Sequence, residues 1–173
     1  MEYLYRYASP VGELLLASSG SHITGLWMQG QKYFASTLDS SHEFHELPIF
    51  EEARSWLDLY FSGENPGPPP PLAPKGSVFR QKVWKLLLEI PYGATATYKE
   101  IGLKIAHADT STAMSAQAVG GAVGHNPISI LIPCHRVVAT DGNLTGYADG
   151  VEIKRRLLLL EKADVTGLYT PSK

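Results

Sequence analysis

Short apolar runs separated by turn residues make up the N-terminal part of the chain. Residues 3–7, 13–18 and 22–28 are rich in Tyr, Leu, Ile and Trp, and the segments between them carry Ser, Pro and Gly. This alternation is typical of β-strands joined by tight turns. We therefore predict three strands in this part of the chain.

The apolar spacing changes from about residue 49, where side chains recur at intervals of three and four: Phe50, Ala53, Leu57 and Phe61. That spacing places them on one face of a helix over 49–61. A proline-rich stretch follows at 65–71 and cannot be helix or central strand, because proline lacks the N–H and fixes φ. We interpret it as an extended linker.

Helical spacing resumes after the linker, again with apolar side chains on one face: Phe79, Val83, Leu86, Leu87 and Ile90. Ser77 is predicted to cap this helix. Thr97 and Glu100 have the spacing of a capping box, which predicts a short helix from Tyr98 to about Ala106.

A third helix is predicted near 112–123, and it is rich in Ala and Gly. It must end before Pro127. A short helix, a turn and a small-residue helix fit a helix-turn-helix or an ordinary helical bundle equally well. Near the end of the chain, Asp149 and Glu152 are predicted to cap a last helix that carries Glu161.

The composition describes a globular chain of 173 residues, 44% of them hydrophobic and 18% charged. No apolar run approaches the roughly 20 residues of a membrane helix, and no secretory signal is apparent. The lone cysteine excludes an internal disulfide and a zinc site built from several cysteines. We expect a monomer in the reducing cytoplasm, with no membrane or cofactor involved. No metal site is assigned, and a metal in the N-terminal part stays open.

Charge is distributed unevenly along the chain. Residues 1–73 hold three Lys/Arg and nine Asp/Glu, a net charge of −6, whereas residues 74–173 hold twelve and eight, a net charge of +4. Such asymmetry is expected if the C-terminal half alone contacts a polyanion. A solvated protein face can show a similar imbalance.

Cys134 is the candidate nucleophile. It follows Pro133 at the end of an apolar run and precedes His135 and Arg136. Adjacent polar and cationic groups are expected to lower the pKa of its thiol. The alternative is a small hydrophobic side chain in the core.

The stretch 126–137 resembles the active-site signature of the O6-alkylguanine-DNA alkyltransferases. Further blocks resemble that family in the same order along the chain: 79–84, 90–93, 118–122, 144–147 and Glu161. The resemblance covers about 77–161, half of the chain.

The resemblance implies in-line attack by the Cys134 sulfur on the alkyl carbon at guanine O6. The product is a stable thioether, so each molecule reacts once. His135 would take the thiol proton through a water, and Glu161 would orient that histidine. Asn126 would hold the active-site turn, and Tyr98 would donate a proton to the departing guanine.

The implied partner is double-stranded DNA that contains O6-alkylguanine, whose damaged base is flipped into a pocket. O4-alkylthymine stays open as a further substrate. The pocket residues would be Pro133, Val137, Tyr147 and Ala148. The recognition helix would contact the minor groove. The DNA-binding residues would be Gln117, Ala118, Gly120, Gly121 and Arg136.

Element order and resemblance together predict an α+β chain. An N-terminal α/β domain of the ribonuclease-H-like kind would span 1–72, with the proline-rich linker at its end. A C-terminal winged helix-turn-helix domain would span 73–173 and carry both DNA binding and alkyl transfer.

The chain departs from the family pattern in three places. Gln117 stands where many members carry an arginine that fills the gap left by the flipped base, and glutamine brings no charge. The interval from Tyr98 to Gln117 is longer than expected, with the extra residues in 106–112. Asp149 follows Ala148 where small residues are usual, which places an acid near the pocket rim and is expected to alter the substrate range.

Three alternative functions remain to be separated by experiment. A non-catalytic relative would bind alkylated DNA but lack the cysteine, which this chain has. A winged-helix regulator would use Cys134 as a sensor and transfer no alkyl group from DNA. A cysteine hydrolase would need a distant histidine such as His22 or His45, and it would turn over repeatedly.

Overall fold

A computed structural model describes residues 1–108 and 116–170. The chain divides into two compact units, one of Met1–Lys75 with Pro127–Leu131 and one of Gly76–Asn126 with Ile132–Lys173. Among the described residues, no helix is long and apolar enough to cross a membrane. The boundary expected between residues 72 and 73 stays a prediction about domain organisation.

The first unit is built on a sheet whose strand order is β3-β2-β1-β4. Strands β1 (Glu2–Ser9), β2 (Gly12–Ser18) and β3 (Ile23–Met28) form an antiparallel meander, so the three predicted strands are confirmed. The sequence analysis missed β4 (His42–Phe44), which pairs in parallel with β1. Its three side chains are all exposed, so it lacks the apolar alternation that marks a half-buried strand.

Helix α1 (Pro48–Phe61) confirms the helix predicted over 49–61. Its proline lies at the first helical position, where no N–H is needed. The buried face of α1 consists of residues at helical spacing: Ile49, Phe50, Ala53, Trp56, Leu57 and Tyr60. The apolar stripe read from the sequence is therefore the face that packs into the core.

Both flanking segments of β3 hydrogen-bond to its backbone. The Ile23 amide donates to the Pro71 carbonyl at 2.8 Å, and the Leu26 amide donates to the Pro127 carbonyl at 2.9 Å. All six residues of β3 are buried. The proline-rich stretch and the run that begins at Pro127 thus protect a strand that ends the sheet.

The second unit is mainly helical. Its elements are α2 (Val78–Leu87), β5 (Ala96–Thr97), α3 (Tyr98–Ala108), α4 (Ala116–Gly124), β6 (Val137–Val138) and α5 (Val151–Leu160), and β5 pairs in parallel with β6. The core includes Trp84, whose indole N–H donates to the Ala122 carbonyl at 2.8 Å. This bond ties α2 to α4.

The helix starts follow the predicted caps in two of three cases. The Ser77 hydroxyl accepts from the Arg80 amide at 3.2 Å. Thr97 and Glu100 bond reciprocally, as a capping box requires. The predicted cap of the last helix was wrong, because Gly150 is the residue at that position and no side chain caps it.

Helix α4 confirms the predicted third helix over its described part, 116–123. Residues 112–115 of that prediction lie outside the described residues. The extra residues expected at 106–112 also lie mostly outside the described residues.

Candidate active site and DNA surface

Cys134 is placed by a tight turn. Its amide donates to the Ile132 carbonyl at 2.8 Å, and Pro133 between them has φ −81° and ψ 64°. These are the angles of an inverse γ-turn, which the proline ring favours because it fixes φ. A 3₁₀ turn, Cys134–Arg136, follows at once, and the Cys134 side chain is 3% exposed.

Asn126 bonds to the same turn. Its Nδ2 donates to the Ile132 carbonyl at 2.8 Å, and its side chain also hydrogen-bonds to Cys134. Asn126 is itself 4% exposed. The residue expected to hold the active-site turn therefore contacts both the backbone of that turn and the thiol.

The pKa of the Cys134 thiol corrects the expectation from its neighbours in sequence. Burial raises the pKa to about 12, although the hydrogen bond from Asn126 and the charge of Lys154 act in the opposite direction. A buried thiolate lacks hydration, so the charged form is disfavoured. The resting side chain is a neutral thiol, and a base must remove its proton when it reacts.

His135 and Glu161 form a buried pair that could supply this base. His135 Nε2 lies 2.5 Å from Glu161 Oε2, and both side chains are fully shielded from solvent. Burial lowers the pKa of His135 and outweighs the opposing effect of Glu161. The imidazole is therefore neutral. Because the ionised Glu161 carboxylate can only accept a hydrogen bond, Nε2 carries the proton and the lone pair is on Nδ1.

Glu161 is the centre of a hydrogen-bond network. Its Oε1 accepts from Arg136 Nε at 2.8 Å and from the Gly93 amide at 3.1 Å. Burial alone would raise the pKa of this carboxyl, but its bonds to His135 and Arg136 lower it to about 2. Glu161 is 2% exposed, so it is not the solvated charge that a last helical turn often carries.

Arg136 requires a correction, since it was expected at the DNA surface. Its side chain is 8% exposed, with Nε on Glu161 and Nη1 on the Ile90 carbonyl at 2.7 Å. Both bonds point the guanidinium into the protein. The residue positions and neutralises Glu161, which differs from the DNA contact expected from the sequence.

Lys154 is a site residue that the sequence analysis missed. It is fully buried, its Nζ has no hydrogen-bond partner among the described residues, and it lies 5.9 Å from the centroid of the Tyr98 ring. Its charge lowers the pKa of Cys134. Helical spacing could have identified it, because Leu157 and Leu158 lie three and four residues after Lys154, and Glu161 lies four and three residues after them.

Lys154→Met is expected to raise the free energy of unfolding near pH 7 by about 3 kcal/mol. Burial lowers the pKa of Lys154 from 10.5 to about 8, so at neutral pH the folded state is destabilised by an ammonium group that lacks hydration. The gain should shrink as pH rises from about 8 towards 10.5, where the folded wild type loses that charge before the unfolded chain does.

Thermal melts at several pH values test this prediction, with Lys85→Met as the control, because Lys85 is exposed on α2. Alkyl transfer should slow in Lys154→Met, since the cation beside the thiol is gone. A variant no more stable than wild type would contradict the assignment of Lys154 as a destabilising buried charge.

Tyr98 opens α3 and lines a groove at the protein surface. The groove measures about 540 Å³ and is bordered by Tyr98, Lys99, Gln117, Gly120, Thr145 and Gly146, among others. Burial and the neighbouring Cys134 raise the pKa of Tyr98 to about 12, so the phenol keeps its proton. Gly146 has φ +100°, and an added Cβ would lie 3.0 Å from the Tyr98 hydroxyl. Glycine thus permits the close approach of this loop to Tyr98.

The expected recognition-helix residues lie on α4 beside this groove. Gln117 and Ala118 are exposed, and a Cβ added at Gly120 or Gly121 would have no neighbouring atom within 4 Å. This face of α4 is open and carries small side chains. It leaves room for a backbone or a phosphate to approach closely.

The expected pocket residues are less exposed. Pro133 and Val137 are buried next to Cys134, and Tyr147 is 7% exposed with its ring edge-on to His135 at 6.5 Å. Ala148 is half-buried on the turn after Tyr147. The structure therefore brings Cys134, His135, Glu161 and Asn126 together, with Tyr147 beside them.

Two family models match the chain. The 6-O-methylguanine DNA methyltransferase DNA binding domain matches residues 78–163, and the ribonuclease-like domain of the same family matches residues 3–66. Both parts of the predicted fold class, an α/β N-terminal domain and a DNA-binding C-terminal domain, are confirmed.

Similar proteins share most of the length of the chain. A methylated-DNA–protein-cysteine methyltransferase of Haemophilus influenzae is 44% identical over 161 residues, which cover 92% of this chain and 86% of that one. A protein of the same name from Methanosarcina barkeri is 43% identical and covers 89% and 93%.

A solved structure with DNA is also similar. The Mycobacterium tuberculosis OGT in complex with DNA is 40% identical, with a TM-score of 0.79 over 95% of this chain and 98% of that one. An O6-methylguanine DNA methyltransferase from Methanococcus jannaschii, at 24% identity and a TM-score of 0.60, shares the fold.

Proposed function

The chain belongs to the 6-O-methylguanine DNA methyltransferase family, and from this premise we propose that it repairs DNA by direct reversal. It takes the alkyl group from guanine O6 onto Cys134, irreversibly and once per molecule. The observation that carries this proposal is the buried 2.5 Å contact of His135 Nε2 with Glu161 Oε2, made by the residue that directly follows Cys134.

The reaction replaces a carbon–oxygen bond with a carbon–sulfur bond. The Cys134 sulfur bonds to the alkyl carbon while the bond from that carbon to O6 breaks, and the product is a thioether. The thiol proton passes to His135, by way of a water as in the family, and Glu161 stabilises the imidazolium that forms. The raised pKa of Cys134 makes this proton transfer necessary.

The departing guanine gains a proton from Tyr98. The raised pKa of this phenol keeps the proton available at neutral pH, and its place at the groove fits a base that enters from outside. Pro133, Val137, Tyr147 and Ala148 border the flipped base. Cys134 is buried, so the damaged nucleotide must leave the duplex to reach it.

Helix α4 is the recognition helix and enters the minor groove of double-stranded DNA. Its open face of Gln117, Ala118, Gly120 and Gly121 supports this proposal, as does the net charge of +4 after residue 73. The chain acts as a monomer. A lone reactive cysteine needs a reducing compartment, which supports the cytoplasm as its location.

Transfer of a labelled methyl group from duplex O6-methylguanine should stop at one equivalent per chain. Affinity for the duplex should fall as salt rises, because Lys and Arg release counterions from phosphates. Tight binding without transfer would favour a winged-helix regulator, and continued turnover would favour a hydrolase. Binding that is indifferent to salt would contradict the proposed DNA surface.

Gln117→Ala is expected to slow transfer from duplex DNA and to leave transfer from free O6-benzylguanine nearly unchanged. Gln117 is exposed on α4, where it could fill the space of the flipped base, and extrusion costs a few kcal/mol. Gln117→Arg should speed the duplex reaction, since arginine can both stack and contact phosphates. Single-turnover rates on the two substrates provide the test.

The free base needs no extrusion, so it serves as the control for pocket and fold. Equal duplex rates for the wild type, Gln117→Ala and Gln117→Arg would exclude this position from base flipping. A loss common to both substrates would instead indicate a damaged pocket.

A further inference from the structure

Asp149 is an acidic side chain on the turn that borders the alkyl site. The Gly150 amide donates to the Tyr147 carbonyl at 3.0 Å, which closes a β-turn with Ala148 and Asp149 at its centre. Helix α5 begins directly after this turn and carries Lys154 one turn further on. Asp149 was expected to cap that helix, and Gly150 occupies the cap instead.

The start of this turn lies close to two of the proposed site residues. Tyr147 lies edge-on to His135, and Gly146 lies close to the Tyr98 hydroxyl. The Oδ1 atom of Asp149 is shielded from solvent, so the carboxylate is directed at least partly into the protein. Water screens the charge of a carboxylate in this place less than it screens one at the surface.

The charge of Asp149 acts on the sulfur. The pKa of Cys134 is raised mainly by burial and lowered by Asn126, and the negative charge of Asp149 raises it further. Lys154 opposes Asp149, but its effect on the thiol is the smaller of the two. The charge of Asp149 therefore disfavours a negative charge at the position of the sulfur.

We propose that Asp149 determines charge specificity: it slows the transfer of alkyl groups that carry a carboxylate relative to neutral groups of the same size. This inference rests on the proposed alkyl transfer to Cys134. The alkyl carbon must approach the sulfur to bonding distance, so a substituent on that carbon enters the same field as the thiolate. A carboxymethyl group would be disfavoured, whereas a methyl or carboxamidomethyl group would not.

Single-turnover transfer from three duplexes tests the inference, with O6-methylguanine, O6-carboxymethylguanine and O6-carboxamidomethylguanine in the same sequence. The measured quantity is the rate for carboxamidomethyl divided by the rate for carboxymethyl. This ratio cancels changes in thiol acidity, DNA affinity and base flipping that affect both groups alike. In Asp149→Asn it should fall about tenfold from its wild-type value, which corresponds to about 1.4 kcal/mol.

Glu152→Gln is the matched control, because Glu152 is an exposed acid in the first turn of the same helix. It removes the same net charge and should leave the ratio at the wild-type value. Asp149→Ala should give the same low ratio as Asp149→Asn, which guards against an effect of the new amide or of a poorly folded variant.

The outcomes separate this inference from the function on which it rests. A ratio unchanged in both Asp149 variants, with methyl transfer intact, would overturn the charge specificity. An equal fall in Glu152→Gln would overturn it too, since net charge would then be the cause. Absence of methyl transfer from the wild type would overturn the proposed function itself.

Discussion

Cys134→Ala is expected to abolish alkyl transfer completely while duplex binding persists. Only a thiolate at this position can form the thioether, and the chain has no second cysteine to replace it. The side chain is 3% exposed, so its removal takes away no surface contact with phosphates. Binding of wild type and variant to the same methylated duplex is compared by titration, and transfer by label on the protein.

The loss of a buried sulfur leaves a small cavity, so a melting experiment must accompany the assay. A folded Cys134→Ala chain that binds DNA but transfers nothing is the expected result. Retained transfer in this variant would falsify the mechanism outright.

Glu161→Gln is expected to lower the rate of transfer by a factor of about 10² to 10⁴. The amide cannot stabilise the imidazolium that forms when His135 takes the thiol proton. The same substitution leaves the buried Arg136 guanidinium without its ionic partner, which costs about 3–5 kcal/mol of stability. Rates and unfolding midpoints are both measured.

The double variant Glu161→Gln with Arg136→Met separates the two effects. Removal of the orphaned guanidinium should restore most of the stability, and transfer should stay slow because the carboxylate is still absent. Transfer that recovers along with stability would show that Glu161 acts through the fold alone.

The contacts among His135, Glu161 and Arg136 also predict how transfer and stability change at acid pH. Burial lowers the pKa of His135, so the base stays neutral below its ordinary value and transfer fails when pH falls through the lowered pKa. The pKa of Glu161 is lowered to about 2 from 4.5, so its stabilisation is complete above 4.5 and is lost as pH falls towards 2. Glu161→Gln should lack this acid-dependent loss.

Local signals in the sequence predicted the helices of the described residues well. The apolar stripe of α1, the Ser77 cap and the Thr97 capping box each depend on residues within one or two turns of each other. Cys134 and His135 are adjacent in the chain, so both could be named as candidate site residues from the sequence alone. These features are fixed by spacing, which the sequence displays directly.

The electrostatics of the site could not be predicted in the same way. Arg136 is adjacent to the active-site pair in sequence, yet its guanidinium bonds to Glu161 and Ile90, which are distant along the chain. The pKa of Cys134 is raised because burial outweighs its charged neighbours, and burial is a property of the whole fold. Strand β4 was not predicted for a related reason, because it is a strand only through its pairing with β1, which is distant along the chain.

The most direct test of alkyl transfer to Cys134 is peptide mass spectrometry of the full chain after reaction with duplex O6-methylguanine. We predict one methyl group per chain, on the peptide that contains Cys134, and an equal amount of guanine restored in the DNA. An unmodified Cys134 peptide beside repaired DNA, or a methyl group on any other residue, would contradict the account.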